Sequence, residues 1–543
     1  MSVVRGWAAA ALIVAAATVP GPGSAQNPAA DAVARAIEPP ALRAHLEFLA
    51  SDALEGRGTG TRGGDLAAKY VAAQFERIGL RPAGDNGTYF QAIPLQGRSF
   101  TASLSPAGGP PLEPGTDFVA YHTGSADSAL AVGDVVFAGY GITAPEENWD
   151  DYAGTDVSGK IVVALAGTPA NQNESLFHHA KTPAYGFREY KVRQALERGA
   201  AAAFVVYRAP YPVAWSEIAS AWSGEQFQLS NSEKGRAIVA GWLNTPAAGR
   251  LLTQAGESLE RLARAAAQQG FRARPIRLRL TAKVRARFRA VPAVNVLGIL
   301  PARAPRAGEA VLLGAHYDHL GVGAPVNGDS IYNGAIDNAS GTAGMLAIAE
   351  ACVSSSLAPA RSVIFAAFGA EEIGLLGSET FVRRPGIPLD RLVAMLNLDG
   401  VNLIAETDDI AALGTEWSTL STPFRAAAAA EGYARTPRDS PILRIAVEQD
   451  FFNRSDQASF ARAGVPALFL YFGDRIAGAA PGSGKQRLDD YLQHHYHRPN
   501  DDLRQPFDYR AGARSLRVLA RTLVAVANAP EAPRWNPGAP YRR

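Results

Sequence analysis

Residues Ser362–Ser378 read SVIFAAFGAEEIGLLGS, and this stretch indicates the kind of fold that the rest of the chain builds. The apolar run Val363–Phe368 has the length and composition of a buried strand. After a short turn it is followed by two adjacent glutamates, Glu371 and Glu372. Because glutamate is seldom buried without a partner, two carboxylates at the end of a core strand predict a functional site.

Further apolar runs lie on both sides of this strand, and helical patterns separate them. The runs are AVNVLGIL, AVLLGAHYDH, LVAMLNLDG and PALFLYFG, and SGTAGMLAIAEACV is a predicted helix among them. Near-continuous apolar strands that alternate with helices indicate an α/β fold with a mostly parallel central sheet flanked by helices. Ligands bind such sheets beyond the carboxyl ends of the strands, where this chain places its polar residues.

Potential metal ligands follow these strands. They are His316, Asp318, Asp337, Glu371, Glu372, Asp399, and the group His494, His495 and His497. Each one alone has an ordinary structural explanation, such as a helix cap for Asp337, but together they converge on one edge of the sheet. Imidazoles and carboxylates without cysteine are typical of catalytic zinc sites. One such zinc needs three protein ligands, so the larger number here predicts two zinc ions about 3.5–4 Å apart, with Asp337 between them.

The two adjacent glutamates are expected to differ in role, since neighbouring side chains after a strand point in different directions. We expect Glu372 to bind a metal ion. We expect Glu371 to be the general base that takes a proton from the attacking water and passes it to a leaving amine. The sequence alone does not fix that order.

Length and composition predict a globular protein of two or three domains. The chain has 543 residues, of which 47% are hydrophobic, and a net charge of +2 that gives no reason to expect nucleic acid as a partner. The basic segment RARPIRLRLTAKVRARFR alternates apolar and charged residues, which predicts a strand with one solvent-facing side. Cys352 is the only cysteine, so an intramolecular disulfide is impossible, and its apolar helical context predicts a core position.

The N-terminal segment MSVVRGWAAAALIVAAATVPGPGSA has the build of a secretory signal peptide, residues 1–25, cut after about Ala25. We therefore expect an exported protein, periplasmic or secreted, with no membrane association after cleavage; an uncleaved anchor is the alternative. Residues 26–40 are rich in alanine and proline and are predicted to be a linker. Two helices are predicted next, around a glycine-rich loop, with Gly79 ending the second.

The middle of the chain, residues 126–270, is predicted to form a small β-rich domain. Its runs ALAVGDVVFAGYGI and GKIVVALAG read as short strands, and YKVRQALERGAAAAFVVY reads as a helix that leads into a strand at Gly199. It lacks a convergent set of acid, base or metal-ligand residues, and His178 and His179 in its polar loop are not expected to do chemistry.

These motifs resemble the co-catalytic zinc aminopeptidase family, which includes secreted bacterial leucyl aminopeptidases, glutamate carboxypeptidase-type enzymes, the transferrin receptor and glutaminyl cyclases. HYDH, DNASGTAG, EEIGLLGS, NLDG, RSDQASFARAGVPAL and YHRPND occur in the family's order across most of residues 290–505. LEGRGTGTRGGDLAAKYVAAQFERIGL resembles the family's opening helices, and the middle block resembles an inserted protease-associated domain.

The resemblance implies a zinc exopeptidase fold, of the phosphorylase/hydrolase-like kind, and a role for each matching residue. One zinc ion would be held by His316 and Asp399, the other by Glu372 and His497, with Asp337 shared, Glu371 as base, and Asp318 orienting the His316 ring. His495 is a rival of His497, which the following Pro-x-Asp favours. His319 and His494 are predicted to be packing or surface residues.

One departure from the family pattern is visible. Many members read Ser-Asp-His where this chain has Ser455, Asp456 and Gln457. Since that segment does not supply metal ligands in the family, we expect the change to affect only substrate contacts or packing.

The predicted organisation is a signal peptide (1–25), a linker and the N-terminal part of the peptidase domain (26–125), an inserted domain (126–270), the main peptidase part (271–530) and a C-terminal tail (531–543). The predicted function is an exported zinc exopeptidase, an aminopeptidase acting on peptides. The alternatives are a one-zinc glutaminyl cyclase-like transferase, a carboxypeptidase or dipeptidase, and a non-catalytic receptor-type protein. The side-chain preference and the oligomeric state do not follow from the sequence.

Overall fold

A computed structural model describes residues 27–169, 185–209, 214–230, 238–303, 306 and 308–542. The predicted signal peptide and the loop residues His178 and His179 lie outside these ranges. Within them, no helix has both the length and the apolar character that crossing a bilayer requires.

The helices of the described part are numbered in chain order. They are α1 (Pro28–Ala36), α2 (Pro39–Leu49), α3 (Arg62–Ile78), α4 (Arg188–Glu197), α5 (Trp215–Ser223), α6 (Thr245–Gln254), α7 (Leu259–Ala266), α8 (Gly341–Ser354), α9 (Leu376–Arg383), α10 (Ser421–Ala430), α11 (Pro441–Glu448), α12 (Gln457–Arg462), α13 (Ser483–His494) and α14 (Tyr509–Asn528).

The strands are numbered in the same way. They are β1 (Arg81–Pro82), β2 (Phe90–Ala92), β3 (Leu95–Pro106), β4 (Phe118–His122), β5 (Ser128–Phe137), β6 (Thr143–Ala144), β7 (Trp149–Asp150), β8 (Ile161–Leu165), β9 (Ala202–Val206), β10 (Gln226–Leu229), β11 (Val239–Leu243), β12 (Arg274–Val291), β13 (Val294–Leu300), β14 (Ala310–His316), β15 (Gly321–Val326), β16 (Asp329–Tyr332), β17 (Ser362–Phe368), β18 (Leu392–Leu398), β19 (Asp409–Leu413), β20 (Ala434–Arg435) and β21 (Ala467–Tyr471).

The main sheet has a parallel centre and antiparallel borders. Its order among the described residues is β1-β13-β17-β14-β18-β21-β19-β20, and β2 also pairs with β13. The pairs β17–β14, β14–β18 and β18–β21 are parallel, whereas β13 and β19 run antiparallel to their inner neighbours. The predicted α/β class is confirmed, as a mixed sheet. The five apolar runs predicted to be strands form β13, β14, β17, β18 and β21.

Helices cover both faces of this sheet, because its strands are apolar on both sides. On one face α1, α2, α3, α8 and α14 bury side chains such as Phe75, Ile348 and Leu519. On the other face α9, α11 and α12 bury Phe381 and Phe460. Each fully buried side chain of this size stabilises the fold by about 1.5–3 kcal/mol. Cys352 is buried in the first of these cores, as predicted.

The three inner strands end level with one another. In the register of the sheet, His316 pairs with Phe368, and Ala315 pairs with Leu398. The residues that directly follow β14, β17 and β18 therefore meet at one edge of the sheet.

The predicted linker at residues 26–40 is wrong, because α1 occupies most of it. The Asn27 side chain accepts a hydrogen bond from the backbone N–H of Ala30, and a proline follows in the first turn. Val33 and Ile37 are fully buried in the main core. An alanine-rich stretch favours a helix, and it is the apolar stripe of α1 that fixes this helix to the rest of the protein.

A second sheet, in the order β10-β3-β12-β5-β8-β9-β11-β4, corresponds to the predicted β-rich block. The limits predicted for that block, 126 and 270, are wrong as limits of the sheet, since β3 and β4 precede residue 126 and β12 runs to Val291. Long-range pairing is the cause: β12 lies between β3 and β5. The predicted alternation is confirmed, because Ile276, Leu278 and Leu280 are buried whereas Arg277 and Arg279 between them are exposed.

The two sheets meet beside the turn that carries Glu371 and Glu372. Leu229 of β10 belongs to a small buried cluster with Ile93, Ala370 and Leu376, and Phe227 packs against it. The second sheet thus supports the turn that follows β17.

Candidate metal centre

Sequence-distant acids and imidazoles converge at the carboxyl edge of the main sheet. His316 is the last residue of β14, Asp399 directly follows β18, and the two adjacent glutamates follow β17 by three and four positions. Asp337 lies in an irregular helical turn, Ala335–Ser340, ahead of α8. His497 lies just beyond α13.

The turn that carries Asp337 is held by a second aspartate. The backbone N–H groups of Ile336 and Asp337 donate to the two carboxylate oxygens of Asp501, over 3.0 Å and 3.1 Å. The Asn338 side chain donates to the carbonyl of Leu398 at 2.9 Å. These contacts fix the direction of Asp337 before any ligand binds.

Asp337 presents one carboxylate oxygen to each of two imidazoles. Its Oδ1 is 3.4 Å from Nε2 of His316, which is 3.1 Å from Oδ1 of Asp399. Its Oδ2 is 3.2 Å from Nε2 of His497, which is also 3.2 Å from Oε2 of Glu372. The five predicted ligands therefore form two groups that share one carboxylate.

The donor atoms fit metal ions of the zinc type. Within the described residues, three sets of three donors lie within 4.8 Å of one another: His316 with Glu371 and Glu372, His316 with Asp337 and Asp399, and His319 with Asp337 and Glu372. Nitrogen and carboxylate oxygen without sulfur is the chemistry of catalytic zinc sites. Such a concentration of buried carboxylates also needs positive charge to compensate it.

Without metal, protons would occupy the space between these groups. Burial favours neutral His497, but Glu372 and Asp337 raise its pKa to about 10. The pKa of His316 is raised well above its usual value, as Glu371 and Asp399 outweigh burial. The pKa of Glu372 falls to about 2 despite its burial, mainly because of His497. The imidazoles are thus protonated in the metal-free site, and metal ions would replace those protons.

Glu371 differs from its neighbour in both contacts and pKa. Burial, with the charges of Glu372 and Asp399, raises its pKa well above the ordinary value, and His316 opposes this only in part. Its backbone N–H donates to Oδ1 of Asp318 at 3.1 Å. Nearby carboxylates of opposite pKa shift are typical of sites that divide ligand and acid–base roles.

Asp318 does not contact the His316 ring as predicted. Its Oδ1 is 3.9 Å from Nδ1 of His316, and the backbone carbonyl of Asp318 accepts from that nitrogen instead, at 3.1 Å. The Asp318 carboxylate holds the backbone of Glu371 and accepts from the Thr59 hydroxyl at 2.8 Å. Its carboxylate thus supports the turn with the two glutamates, while its main chain orients the imidazole.

The histidines near the C-terminal end separate clearly. His494 is exposed and pairs with Asp490, and Nδ1 of His495 bonds the carbonyl of Asn500. Only His497 of these three reaches the ligand groups. His319 was predicted to be a packing or surface residue, but its buried Nδ1 is 2.6 Å from Oε1 of Glu372.

Comparison with known proteins relates the segment that carries the site to a peptidase family. The sequence model of Peptidase family M28 matches residues 295–523, which include all five proposed ligands. Over these residues the chain is similar to the members of that peptidase family.

The curated relatives match part of this chain. A "Probable zinc metalloprotease" of Pyrenophora teres f. teres (strain 0-1) is 28% identical over 229 residues, which covers 41% of this chain and 46% of the relative. "Leupeptin-inactivating enzyme 1" of Streptomyces exfoliatus is 28% identical over 164 residues, or 30% and 32% of the two chains. The chain thus spans about half or less of the length of these relatives.

Among solved structures, the aminopeptidase from Aneurinibacillus sp. strain AM-1 has a similar fold. It is 21% identical, with a TM-score of 0.52, and the match covers 95% of this chain and 100% of that one. At this identity the likeness establishes the fold, and it extends over both sheets of this protein.

A buried cation that the sequence did not predict lies behind the candidate site. Arg57 is fully buried and donates to the carbonyls of Leu49, Tyr317, Asn333 and Gly334. Burial lowers its pKa to about 10, so the guanidinium remains charged at neutral pH. The glycine-rich motif around Arg57 was the available signal, but the direction of its side chain is set by tertiary structure.

A cavity of about 460 Å³ opens onto the two ligand groups. Its apolar wall consists of Ile336, Phe451, Phe469, Phe472, Leu488 and Leu492. Arg454 and Tyr496 add polar groups, and the Tyr496 ring stacks on His497 with 3.8 Å between ring centroids. Gln457 does not line this cavity: it accepts from Asn397 at 2.7 Å and donates to the Phe452 carbonyl at 2.7 Å, so the departure from the family pattern is a packing difference.

Proposed function

We propose that this protein is a two-zinc aminopeptidase that removes N-terminal residues from peptides. The observation that carries the proposal is Asp337, whose two carboxylate oxygens face two different imidazoles. A shared carboxylate of this kind is what two zinc ions about 3.5–4 Å apart require.

One zinc ion would be held by His316, Asp399 and Oδ1 of Asp337, and the other by Glu372, His497 and Oδ2 of Asp337. Zinc at these positions supplies Lewis-acid polarisation of the peptide carbonyl and of water. The imidazoles must give up their protons for this, and Asp501 and Asp318 keep the ligand-bearing turns in place.

Glu371 is assigned the proton transfer. Its carboxylate lines the cavity, and its raised pKa suits a group that accepts a proton from water and returns it to the departing amine. Burial next to other carboxylates would hold that proton until the amine leaves.

The cavity wall suggests which substrates fit. Its aromatic and aliphatic side chains would accept a large apolar N-terminal residue, and burying such a side chain is worth about 1.5–3 kcal/mol. Arg454 and Tyr496 are 3.3 Å apart at their polar atoms and would donate hydrogen bonds to substrate carbonyl oxygens.

A substrate panel with and without chelator tests the proposal. Leucyl and phenylalanyl p-nitroanilides should be cleaved faster than alanyl, lysyl or glutamyl ones, and N-acetyl-leucyl p-nitroanilide should be inert. Activity should vanish with chelator and return with zinc. The variant Phe472→Ala should lower the ratio of leucyl to alanyl cleavage rates without changing metal content. Release of C-terminal residues from N-blocked peptides would replace the proposal with a carboxypeptidase, and cyclisation of N-terminal glutamine with a transferase.

We propose further that the second sheet, about residues 95–291, is an inserted protease-associated domain that shapes access to the cavity. The contact of Phe227 and Leu229 with the turn after β17 supports this. We also propose export with cleavage after about Ala25. N-terminal sequencing of protein from the native host should begin beyond that residue, and a mature chain starting at Met1 would refute export by cleavage.

A further inference from the structure

His319 lies at the candidate metal centre and has no assigned role. It is three positions after His316, and its side chain is fully buried. Its backbone N–H donates to the carbonyl of Arg57 at 3.3 Å. Gly334 lies directly against the ring: a Cβ at that position would come within 2.5 Å of the imidazole carbons. The main chain of His319 is thus tied to Arg57, and its ring packs against Gly334.

The two nitrogens of this ring have different surroundings. Nδ1 is 2.6 Å from Oε1 of Glu372, a short charge-assisted contact. Nε2 is buried and has no hydrogen-bond partner. Of the two ring nitrogens only Nδ1 therefore has a hydrogen-bond partner, and that partner is Oε1 of Glu372.

Glu372 is divided between two imidazoles on its two oxygens. Oε1 faces Nδ1 of His319, whereas Oε2 is 3.2 Å from Nε2 of His497. Nε2 of His497 is equally close to Oδ2 of Asp337. Oε2 of Glu372, and not Oε1, therefore faces the space between His497 and Asp337. The rings of His319 and His497 pack edge to face with 5.6 Å between their centroids, so each ring approaches Glu372 from a different position.

We propose that His319 is a positioning residue that anchors Oε1 of Glu372, so that Oε2 alone is presented to the metal ion shared with His497 and Asp337. This rests on the two-metal function proposed above. The relation reverses the familiar one in which a carboxylate orients a ligating imidazole. Anchoring fixes the carboxylate in a one-oxygen mode and lowers the entropy lost when the ion binds.

Three substitutions at this position separate the two ring nitrogens. His319→Asn keeps a donor near the place of Nδ1, His319→Gln keeps one nearer the place of Nε2, and His319→Leu keeps none. His494→Gln, in an exposed histidine paired with Asp490, is the matched control. Zinc stoichiometry and stepwise affinity are measured by competition with a chromophoric chelator, and thermal unfolding of each metal-free variant checks the fold.

The expected result is a selective loss of affinity for one of the two ions. His319→Leu and His319→Gln should lower the affinity for that ion by roughly 10–100-fold, and both variants should still bind two ions per chain at saturating zinc. His319→Asn should stay within about threefold of the wild type by the same scale, and His494→Gln should not differ from it. If His319→Leu does not fold, the Asn and Gln pair carries the test.

Other outcomes would overturn the inference in identifiable ways. A stoichiometry of one ion at saturating zinc in all three variants would make His319 a metal ligand. Equal affinity in all variants would show that the contact with Glu372 does not matter. A wild-type protein that itself binds only one ion would instead refute the two-metal function, which keeps the two failures distinguishable.

Discussion

Both sheets of this protein bury charged side chains beside parallel strands, but they use them differently. In the second sheet, β5, β8 and β9 run parallel, and Lys191 of α4 lies buried near their carboxyl ends. Its ammonium donates to the carbonyls of Tyr140 and Gly167, at 2.5 Å and 2.9 Å. The buried carboxylate of Asp151 accepts from the backbone N–H groups of Tyr140 and Ile142 and from the Trp149 indole.

At the main sheet the proposed metal ligands face one another instead of the backbone. Asp337, Asp399 and Glu372 direct oxygens at imidazole nitrogens, and the space between them is where protons or metal ions must sit. Burial of charge is therefore a poor indicator of a site by itself. The direction of the lone pairs distinguishes the two regions, because hydrogen bonds to backbone satisfy a charge permanently and leave nothing for a ligand.

Neutralising one buried aspartate in each region should reveal the largest difference between the two regions. Asp337→Asn keeps the size of the side chain but removes the charge that both ligand groups share, so both ions should be lost at zinc levels that saturate the wild type. Peptidase activity should fall to background. Asp151→Asn is the control and should keep two ions per chain by elemental analysis. Full metal content in Asp337→Asn would show that the carboxylate is not shared.

The second prediction separates the two adjacent glutamates. Glu371→Gln should retain both metal ions and lower turnover by roughly 10²–10⁴-fold, the usual value of a general base, with little change in substrate affinity. Glu372→Gln should lower the affinity for one of the two ions, and the activity of this variant should partly recover in excess zinc. The measurements are metal content, kcat and KM for both variants. If Glu371→Gln loses an ion and Glu372→Gln keeps both, the two roles must be exchanged.

A change in the second sheet should affect stability and spare the chemistry. Lys191→Met leaves the carbonyls of Tyr140 and Gly167 without their donor, at a cost of about 1–3 kcal/mol for each buried group. Urea unfolding should show this loss, while zinc stoichiometry and kcat of the folded enzyme stay at wild-type values. A fall in zinc stoichiometry would mean that the two regions are coupled.

The smallest effect is a release of protons when the metal-free protein is loaded with zinc. The pKa of His497 is raised to about 10 and that of His316 well above 6.5, so both rings carry protons near pH 7. Zinc needs the unprotonated nitrogens, so affinity should rise with pH until these pKa values are passed, with about two protons released at pH 7. Calorimetry in two buffers of different ionisation enthalpy measures the number. No release would mean that the imidazoles are not ligands.

The centre of the fold and the strand-end carboxylates Glu371, Glu372 and Asp399 were predictable from sequence, for one physical reason. Parallel buried strands are apolar along their whole length, so the first polar residue after each run, such as Asp399, marks the edge where ligands gather. The linker prediction at α1 was wrong because composition does not reveal an apolar stripe. That stripe becomes buried only when α1 packs against α8 and α14. The sheet limits failed because β3 and β12 pair over a long stretch of chain.

Side-chain direction was the second thing that sequence could not provide. His319 and Arg57 both lie within the motifs described above, but those motifs do not show what the two side chains contact. His319 reaches Glu372 across 53 positions of sequence, and Arg57 reaches Gly334 across 277. Such contacts depend on tertiary packing, for which a single sequence carries no local signal.

The contacts of Arg57 have a consequence for how the protein is assembled. Its guanidinium joins the segment before the second sheet to loops that are made 260–277 residues later in synthesis. Contacts of such high sequence separation form late in folding. The ligand-bearing loops can therefore reach their final shape only after the whole second sheet has been produced and its ends have been brought together. The segment that matches the family's sequence model, residues 295–523, therefore does not contain all the contacts that hold the proposed ligand-bearing loops.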